Sequence, residues 1–135
     1  MSILTSIVAK TMRGTLVAGL AVATVSPTLA QSVSPVGQWE LVNGESRYRV
    51  SYCGGKKLCA KLVWLHPKVR TPENQAMLNS YIVRGAEPAD ERVWAGEVNF
   101  DGKTYQGTVT LLSDRSMRVS ACSGMLCQSF DLRNR

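Results

Sequence analysis

Residues 94–109 read WAGEVNFDGKTYQGTV, two runs of alternating apolar and polar residues on either side of Asp101-Gly102. Asp-Gly is a preferred composition for a two-residue type I′ turn, because both central residues of that turn need positive φ. A hairpin folded about this turn sorts the apolar side chains onto one face and the polar side chains onto the other. The expected pairs on the apolar face are Trp94 with Val109, Gly96 with Gly107, and Val98 with Tyr105.

The same alternation continues along most of the chain. Asn43-Gly44 predicts a second type I′ hairpin, Ser113 to Arg115 predicts a three-residue loop, and a four-residue connection joins the last two runs, 116–122 and 127–133. Each connection sets a register, and each register keeps apolar and polar residues on separate faces. The implied pairs are Trp39 with Tyr48, Glu40 with Arg47, Leu111 with Met117, Val109 with Val119, Gly107 with Ala121, Met117 with Leu132, Arg118 with Asp131, and Val119 with Phe130.

The runs 47–52 and 58–64 also alternate, and the pattern is lost between Leu65 and Trp94. In that gap, Thr71 as N-cap and Pro72 at the first position predict a short helix over 73–80. Residues 81–83 read as a short strand and residues 85–92 as a loop. The inward positions expected in the two alternating runs are Tyr48, Val50, Tyr52, Leu58, Ala60, Leu62 and Trp64.

The count of alternating runs predicts about eight short strands, mostly in up-and-down order, with apolar residues on one face only. Such a sheet must cover its apolar face, and closure into a barrel does so while it removes exposed edges. We therefore predict an all-β fold, a small eight-stranded antiparallel barrel with one short helix. Side chains either fill the interior of an eight-stranded barrel or leave room for one small ligand.

The first thirty residues are typical of a secretory signal peptide. Lys10 and Arg13 precede the apolar run 14–25, and the small residues Thr28 and Ala30 suit a cleavage site. The run is shorter than the roughly 20 residues that a spanning helix needs, so an uncleaved anchor is the less favoured alternative. We predict a cleaved signal peptide at 1–30 and a single domain at 31–135, periplasmic or secreted, without a transmembrane anchor. Because the first cysteine, Cys53, lies far from Ala30, a lipid anchor is also disfavoured.

The net charge of the chain is +6, and removal of the signal peptide with Lys10 and Arg13 lowers it to +4. The cations alternate with apolar residues along strands or face acids, and no block of like charge occurs. A solvated surface is the favoured interpretation, and we predict no nucleic-acid partner. An apolar fraction of 44% excludes a disordered chain.

Four cysteines allow three disulfide connectivities, and the hairpin registers favour one of them. Cys53 with Cys59, and Cys122 with Cys127, occupy mirror positions on polar faces, where neighbouring strands bring Cα atoms within disulfide range. The alternative is a zinc site, which the spacings and the predicted export disfavour. A redox motif Cys-x-x-Cys is absent from the sequence. We predict two local disulfides, no metal site and no cofactor.

Short motifs in a fixed order resemble the family catalogued as domain of unknown function 2147. The resemblance runs from Val36 to Arg133 and implies an exported bacterial protein with a barrel related to the lipocalin and calycin group. Ala60 stands where the family often has Gly, and the segment before Asp101 is shorter than usual. The family has no established activity, so the resemblance implies no catalytic residues. The motifs are Gly37-x-Trp39, Cys53 with Leu58-Cys59-x-Lys61-Leu62-Val63-Trp64-Leu65, Trp94-x-Gly96, Asp101-Gly102-Lys103-Thr104-Tyr105-x-Gly107, and Val119-x-x-Cys122-x-Gly124-x-Leu126-Cys127.

The predicted registers place Gly96, Gly107, Ala121 and Gln128 in one row across the inner face. One hypothesis is that these residues leave room for an apolar ligand, with Gln128 and tyrosine hydroxyls as polar anchors. The alternative, which we favour slightly, is that the glycines allow strands to bend or seat the 73–83 segment as a plug. The candidate ligand-binding residues are Trp39, Tyr48, Tyr52, Trp64, Trp94, Gly96, Tyr105, Gly107, Ala121 and Gln128.

Three function classes remain. The first is a binding protein for a small apolar or amphipathic molecule, and the second is an envelope scaffold or enzyme inhibitor that meets a protein partner through loops 66–92. Inhibition of lysozyme is disfavoured, because lysozymes are usually basic and so is this chain. An enzyme ranks last, since His66 and the Asp90-Glu91 pair read as surface loop residues rather than catalytic groups.

Overall fold

The computed structural model describes residues 33–135, together with Ala21 and Ala23. The predicted signal peptide at 1–30 lies outside the described residues, apart from those two alanines. Within 33–135, eight antiparallel strands close into a barrel in chain order, which confirms the predicted fold class. The strands are β1 (Gly37–Leu41), β2 (Ser46–Tyr52), β3 (Leu58–Leu65), β4 (Tyr81–Asp90), β5 (Val93–Phe100), β6 (Lys103–Leu111), β7 (Ser116–Ser123) and β8 (Leu126–Asn134).

Two ends of the barrel follow from this up-and-down order. The connections 42–45, 66–80, 101–102 and 124–125 lie at one end, here called the mouth. The connections 53–57, 91–92 and 112–115 lie at the other end, here called the base. Among the described residues, no helix has both the length and the apolar character needed to cross a membrane.

The predicted hairpin registers are confirmed on β1–β2, β5–β6, β6–β7 and β7–β8. Asp101 and Gly102 have φ of 51° and 69°, as a type I′ turn requires. The first hairpin reaches its predicted register by a different turn, because only Gly44 has positive φ there. Asn43 instead accepts a side-chain hydrogen bond from the Glu45 amide, a local bond that stabilises a longer turn.

A β-bulge in β3 places Trp64 on the outer face, where the simple alternation had predicted it to point inward. Tyr48 pairs with Leu62, but the preceding residue Arg47 pairs with Trp64, so Val63 is an extra residue. One inserted residue reverses the facing of every residue beyond it. The Arg47 guanidinium lies 3.9 Å from the centroid of the Trp64 ring, and this contact covers part of the exposed indole.

The region between β3 and β5 differs most from the prediction. The loop predicted at 85–92 is mainly strand, because β4 extends over ten residues and bends at a bulge near Gly85, where φ is 69°. This bulge lets both Val83 and Ala86 point inward. The predicted helix begins as expected, with Thr71 accepting a hydrogen bond from the Asn74 amide, but α1 spans only Pro72–Ala76. A 3₁₀ turn, Pro67–Val69, precedes it.

Both predicted disulfides are present, Cys53–Cys59 and Cys122–Cys127. Cys122 and Cys127 are direct cross-strand partners, as predicted. Cys53 and Cys59 are not, since Ser51 pairs with Cys59 and the bridge spans the strand diagonally, with Cα atoms 5.8 Å apart.

The last hairpin carries an exposed apolar tip beyond its disulfide. Met125 and Leu126 are 100% and 81% exposed. β8 pairs with β1 only from Leu132 onwards, so the first half of β8 has β7 as its one neighbouring strand among the described residues. The disulfide therefore holds a hairpin end that the barrel does not cover.

Two glycines let the strands approach each other closely. A Cβ on Gly96 would lie 2.9 Å from the Cα of Ala86, and one on Gly107 would lie 2.6 Å from Cγ2 of Val98 and collide with the Ser120 carbonyl oxygen. Real Cβ atoms do not tolerate such contacts with backbone. This agrees with the alternative interpretation of the row that contains Gly96 and Gly107, in which the small residues allow strands to pack closely.

Barrel closure depends on a short seam between β1 and β8, which joins only three residue pairs. Glu40 lies at the centre of this seam and is 5% exposed. Its carboxylate accepts hydrogen bonds from Arg47 of β2 at 2.8 Å, from Arg133 of β8 at 2.8 Å and from Arg135 at 3.0 Å. The Arg133 and Arg47 hydrogen bonds, assisted by the charge of Arg135, lower the Glu40 pKa to about 2.

We expect Glu40→Gln to lower the melting temperature by several degrees at neutral pH, because a neutral amide pairs poorly with three guanidinium groups. The folded pKa lies below the usual value of 4.5, so the carboxylate contributes stability above that value and loses it as pH falls towards 2. Thermal melts from pH 7 to pH 2 should therefore show the two proteins converge at the acid end. Glu97→Gln, on the exposed face of β5, is the control, and a constant difference at all pH values would contradict the assignment.

We expect Gly107→Ala to destabilise the fold by about 2–3 kcal/mol, because the new methyl group meets backbone on β7 rather than a side chain that can move. Urea denaturation measures the change. Gln106→Ala, at the neighbouring exposed position of the same strand, should change stability by less than about 0.5 kcal/mol. Equal stability of Gly107→Ala and the native protein would refute the close approach.

Candidate functional site

An apolar cavity of about 140 Å³ lies inside the barrel, between residues at the mouth such as Phe100 and residues nearer the base such as Leu58. Leu41 and Phe100, the last residues of β1 and β5, line it together with Met77 from the β3–β4 connection. Among the described residues, no charged side chain lines this cavity, and Tyr48 is the one lining residue with a polar side-chain atom. The lining residues are Leu41, Tyr48, Val50, Leu58, Ala60, Met77, Ile82, Val83, Val98, Phe100, Val109, Met117, Val119, Phe130 and Leu132.

The connection between β3 and β4 is held in place by local hydrogen bonds, and this positions Met77 at the cavity. Asn74 donates from Nδ2 to the Val69 carbonyl oxygen at 2.8 Å. The Asn79 amide donates to the Leu62 carbonyl oxygen at 2.7 Å, which ties the end of the connection back to β3. The backbone of the connection is therefore well satisfied, as an ordered cover over an apolar space requires.

Aromatic rings form one wall of the cavity. Phe100 stacks on Tyr105 with ring centroids 4.5 Å apart and meets Phe130 edge to face at 5.7 Å. Aromatic pairs in these geometries stabilise each other by about 0.5–1.5 kcal/mol beyond the area they bury.

Tyr48 supplies the polar group of the site. The Ser46 hydroxyl donates to the Tyr48 oxygen at 3.0 Å, which leaves the phenolic hydrogen available for a second partner. Burial raises the pKa of Tyr48 above its usual value of 10, so the phenol stays neutral at physiological pH. The site offers one neutral hydrogen-bond donor in an apolar surrounding.

Of the ten predicted ligand-binding residues, Tyr48 lines the cavity and Tyr105 supports its wall. Trp39 and Trp94 are buried in the core towards the base, where their ring nitrogens donate to the carbonyl oxygens of Pro35 at 2.8 Å and Lys56 at 3.2 Å. Neither ring lines the cavity, although their cross-strand partners Tyr48 and Val109 do.

The predicted row of small residues does not line the cavity either. Gly96 and Gly107 are covered by neighbouring strands, and Ala121 is buried in the core. Gln128 is exposed, because its part of β8 lies beyond the seam with β1. The expected room beside these residues is therefore replaced by close packing, and Gln128 is not an anchor inside the barrel.

The remaining two predicted residues lie on the outside. Tyr52 is 46% exposed at the base end of β2, where the strand leaves the barrel wall for the Cys53–Cys59 loop. Trp64 is turned outward by the bulge at Val63. Neither contributes to the cavity.

Sequence reasoning missed Met77 and Ile82, which lie in the region where alternation fails. It also missed Phe100, which directly precedes the Asp101-Gly102 turn. Phe100 has the inward parity of Val98 in the confirmed register, so the parity of β5 was a usable signal. For Met77 the sequence offers no comparable signal, since its position depends on how the connection folds over the barrel.

His66 and the acidic pair lie away from the cavity lining. His66 accepts a hydrogen bond from the Lys68 amide at Nδ1 and meets Trp64 edge to face at 5.9 Å. Asp90 accepts from the Glu91 amide, which is a local turn contact. Across the described residues, no group of three or more His, Cys, Asp or Glu side chains could hold a metal ion.

The geometry defines a class of protein: a small closed antiparallel β-barrel, stapled by two local disulfides, with one apolar cavity described inside it. The sequence matches the family described as uncharacterized protein conserved in bacteria (DUF2147) over residues 37–133. The chain belongs to this family, as its motifs had indicated. No match was found among curated proteins or among solved structures.

Proposed function

We propose that the protein binds one small, neutral, apolar molecule in the cavity inside the barrel. The observation that carries the proposal is the cavity of about 140 Å³ with a lining that is apolar except for one phenol. Apolar cavities of roughly this size, about 150 Å³, stay dry and take up molecules the size of benzene. Ligand pockets for drug-sized molecules are larger, about 300–1,000 Å³, so the proposed ligand is a small one.

The lack of charged side chains in the described cavity lining narrows the class of ligand further. A carboxylate in this cavity would be desolvated without a cationic partner among the described lining residues, which is costly. A molecule with an apolar body and one hydrogen-bond acceptor, such as an aldehyde, ketone or ether, suits the free hydrogen of Tyr48. Since Tyr48 is the one polar side chain lining the described cavity, binding without catalysis is the role that we propose.

The two disulfides support a periplasmic or secreted location, because such bonds persist in oxidising compartments. The signal peptide predicted for residues 1–30 supports the same location. A partner that binds loops 66–92, the alternative function, remains a prediction. That surface is smaller than expected, since residues 81–90 form part of the barrel wall and residues 66–80 form the connection that carries Met77.

We expect hexanal to bind the purified protein with one site, and hexanoate at pH 8 to bind at least about tenfold more weakly, because the carboxylate pays a desolvation penalty. Isothermal titration calorimetry measures both. Tyr48→Phe should weaken hexanal binding about three- to tenfold and leave benzene binding unchanged, since only hexanal uses the phenolic hydrogen.

Val119→Phe fills the cavity with a ring and should abolish binding of hexanal and benzene. Val36→Phe adds the same ring at a position that is 45% exposed and outside the cavity lining, and should leave both unchanged. Equal binding by the native protein and Val119→Phe, or preference for hexanoate, would rule out the proposed site.

A further inference from the structure

Six cations of the protein are neighbours on one side of the barrel surface. Sixteen Lys and Arg residues occur in the sequence, and fourteen remain in the described range once Lys10 and Arg13 are set aside. Six of these fourteen cations lie in or beside two adjacent cross-strand rows that run from β8 through β1, β2 and β3 to β4, here called the basic belt. The belt consists of Arg47, Arg49, Lys61, Arg84, Arg133 and Arg135.

Of the ten Asp and Glu residues, all of which lie in the described range, Glu40 is the one acid in these two rows, while Asp131 of β8 and Glu87 and Asp90 of β4 lie on the same strands outside the rows. Six cations and one acid give the belt a net charge of +5. The remaining eight cations and nine acids give the rest of the described chain a net charge of −1.

The belt runs across the strands, around the barrel. In one row, Arg133, Glu40, Arg47 and Trp64 are successive cross-strand partners. The next row contains the cross-strand partners Gln38, Arg49, Lys61 and Tyr81. The backbone amide of Arg135 donates a hydrogen bond to the Gln38 carbonyl oxygen, which places Arg135 beside this row. With strands about 4.8 Å apart, the path from β8 to β4 is about 19 Å long.

Two aromatic rings interrupt the belt and carry cations on their faces. Lys61 lies 5.5 Å and Arg84 lies 5.6 Å from the centroid of the Tyr81 ring, which is 38% exposed. Arg47 covers Trp64 at 3.9 Å. Tyr81 therefore presents a partly open aromatic surface between two cations.

We propose that the basic belt binds a linear anionic polysaccharide laid around the barrel. A planar membrane touches a convex barrel along a narrow line, whereas a flexible chain can follow the circumference and meet cations on four strands. Guanidinium groups bind phosphate, sulfate and carboxylate groups by charge-assisted hydrogen bonds, and the exposed part of the Tyr81 ring suits contact with the C–H groups of a sugar ring.

Two other partners fit less well. An acidic peptide gains affinity by pairing with a free strand edge, and the free edge that the described strands offer, the first half of β8, lies outside the belt. The disulfides favour an oxidising compartment outside the cytosol, which makes an intracellular nucleic acid the less suitable polymer. Charge complementarity and compartment together favour the polysaccharide.

The test uses the purified protein and two anionic polysaccharides as probes, heparin and polygalacturonate, with neutral dextran as the reference. Binding is measured by fluorescence anisotropy of labelled polymer at about 0.15 M salt, where weak long-range attraction is screened. We expect both anionic polymers to bind and dextran not to bind. A single-stranded oligonucleotide and phosphatidylglycerol vesicles are tested in parallel.

The belt variant combines Arg49→Ser, Lys61→Ser and Arg84→Ser, three positions outside the Glu40 cluster. We expect its affinity for the polysaccharides to fall at least about tenfold, because three charge-assisted contacts are lost. The control variant combines Lys56→Ser, Lys68→Ser and Lys103→Ser, which removes the same charge from the ends of the barrel. Its affinity should fall less than about threefold, as expected for a change in net charge alone.

Tyr81→Ala should weaken polysaccharide binding about threefold, and Tyr81→Phe should not, because the ring face and not the hydroxyl meets the sugar. Circular dichroism confirms that each variant is folded. Equal losses in the belt and control variants, no binding, or tighter binding of the oligonucleotide or the vesicles would each overturn the proposal. None of these outcomes depends on the cavity, so the proposed ligand-binding function is tested separately.

Discussion

The carboxylate of Glu40 joins three strands at the place where the barrel closes. β1 has five residues and meets β8 over three pairs, so backbone hydrogen bonds alone give a short seam. Arg47 and Arg133 reach the same carboxylate from the strands on either side, and Arg135 adds a third contact. Without closure, β1 and β8 would present open edges and the barrel interior would be exposed to water. The cavity, the buried tryptophans and the outer face all require this closure.

Closure produces a barrel with two unlike halves. Towards the base, Trp39 and Trp94 fill the interior and satisfy their ring nitrogens on nearby carbonyl oxygens. Beside these rings, smaller aliphatic residues and phenylalanines leave a space that Met77 borders at the mouth. Eight strands enclose just enough volume for either outcome, so the size of the side chains at each level decides between packing and binding.

The strand registers could be predicted because turn chemistry and alternation agree, as at Asp101-Gly102. The prediction failed where a single inserted residue changes the facing, at Val63 and near Gly85, since alternation carries no mark of a bulge. The candidate site was predicted beside the glycines because a missing side chain suggests room. In the structure, Ala86 and Ser120 occupy that room. The cavity lies elsewhere in the interior, where Tyr48 and Phe100 line it. Whether small residues create space or bring backbones together depends on neighbours across the sheet, which one sequence does not specify.

The hairpin between β7 and β8 ends in Gly124, Met125 and Leu126 beyond the Cys122–Cys127 bridge. The bridge links β7 and β8 just before the turn. The pairing of the two strands within the barrel therefore does not depend on the residues of the turn. This tip is therefore a suitable point for grafting a foreign loop, an affinity tag or a fluorescent reporter. After such an insertion, the disulfide would still fix the register of β7 and β8, and the interior of the barrel would stay unchanged.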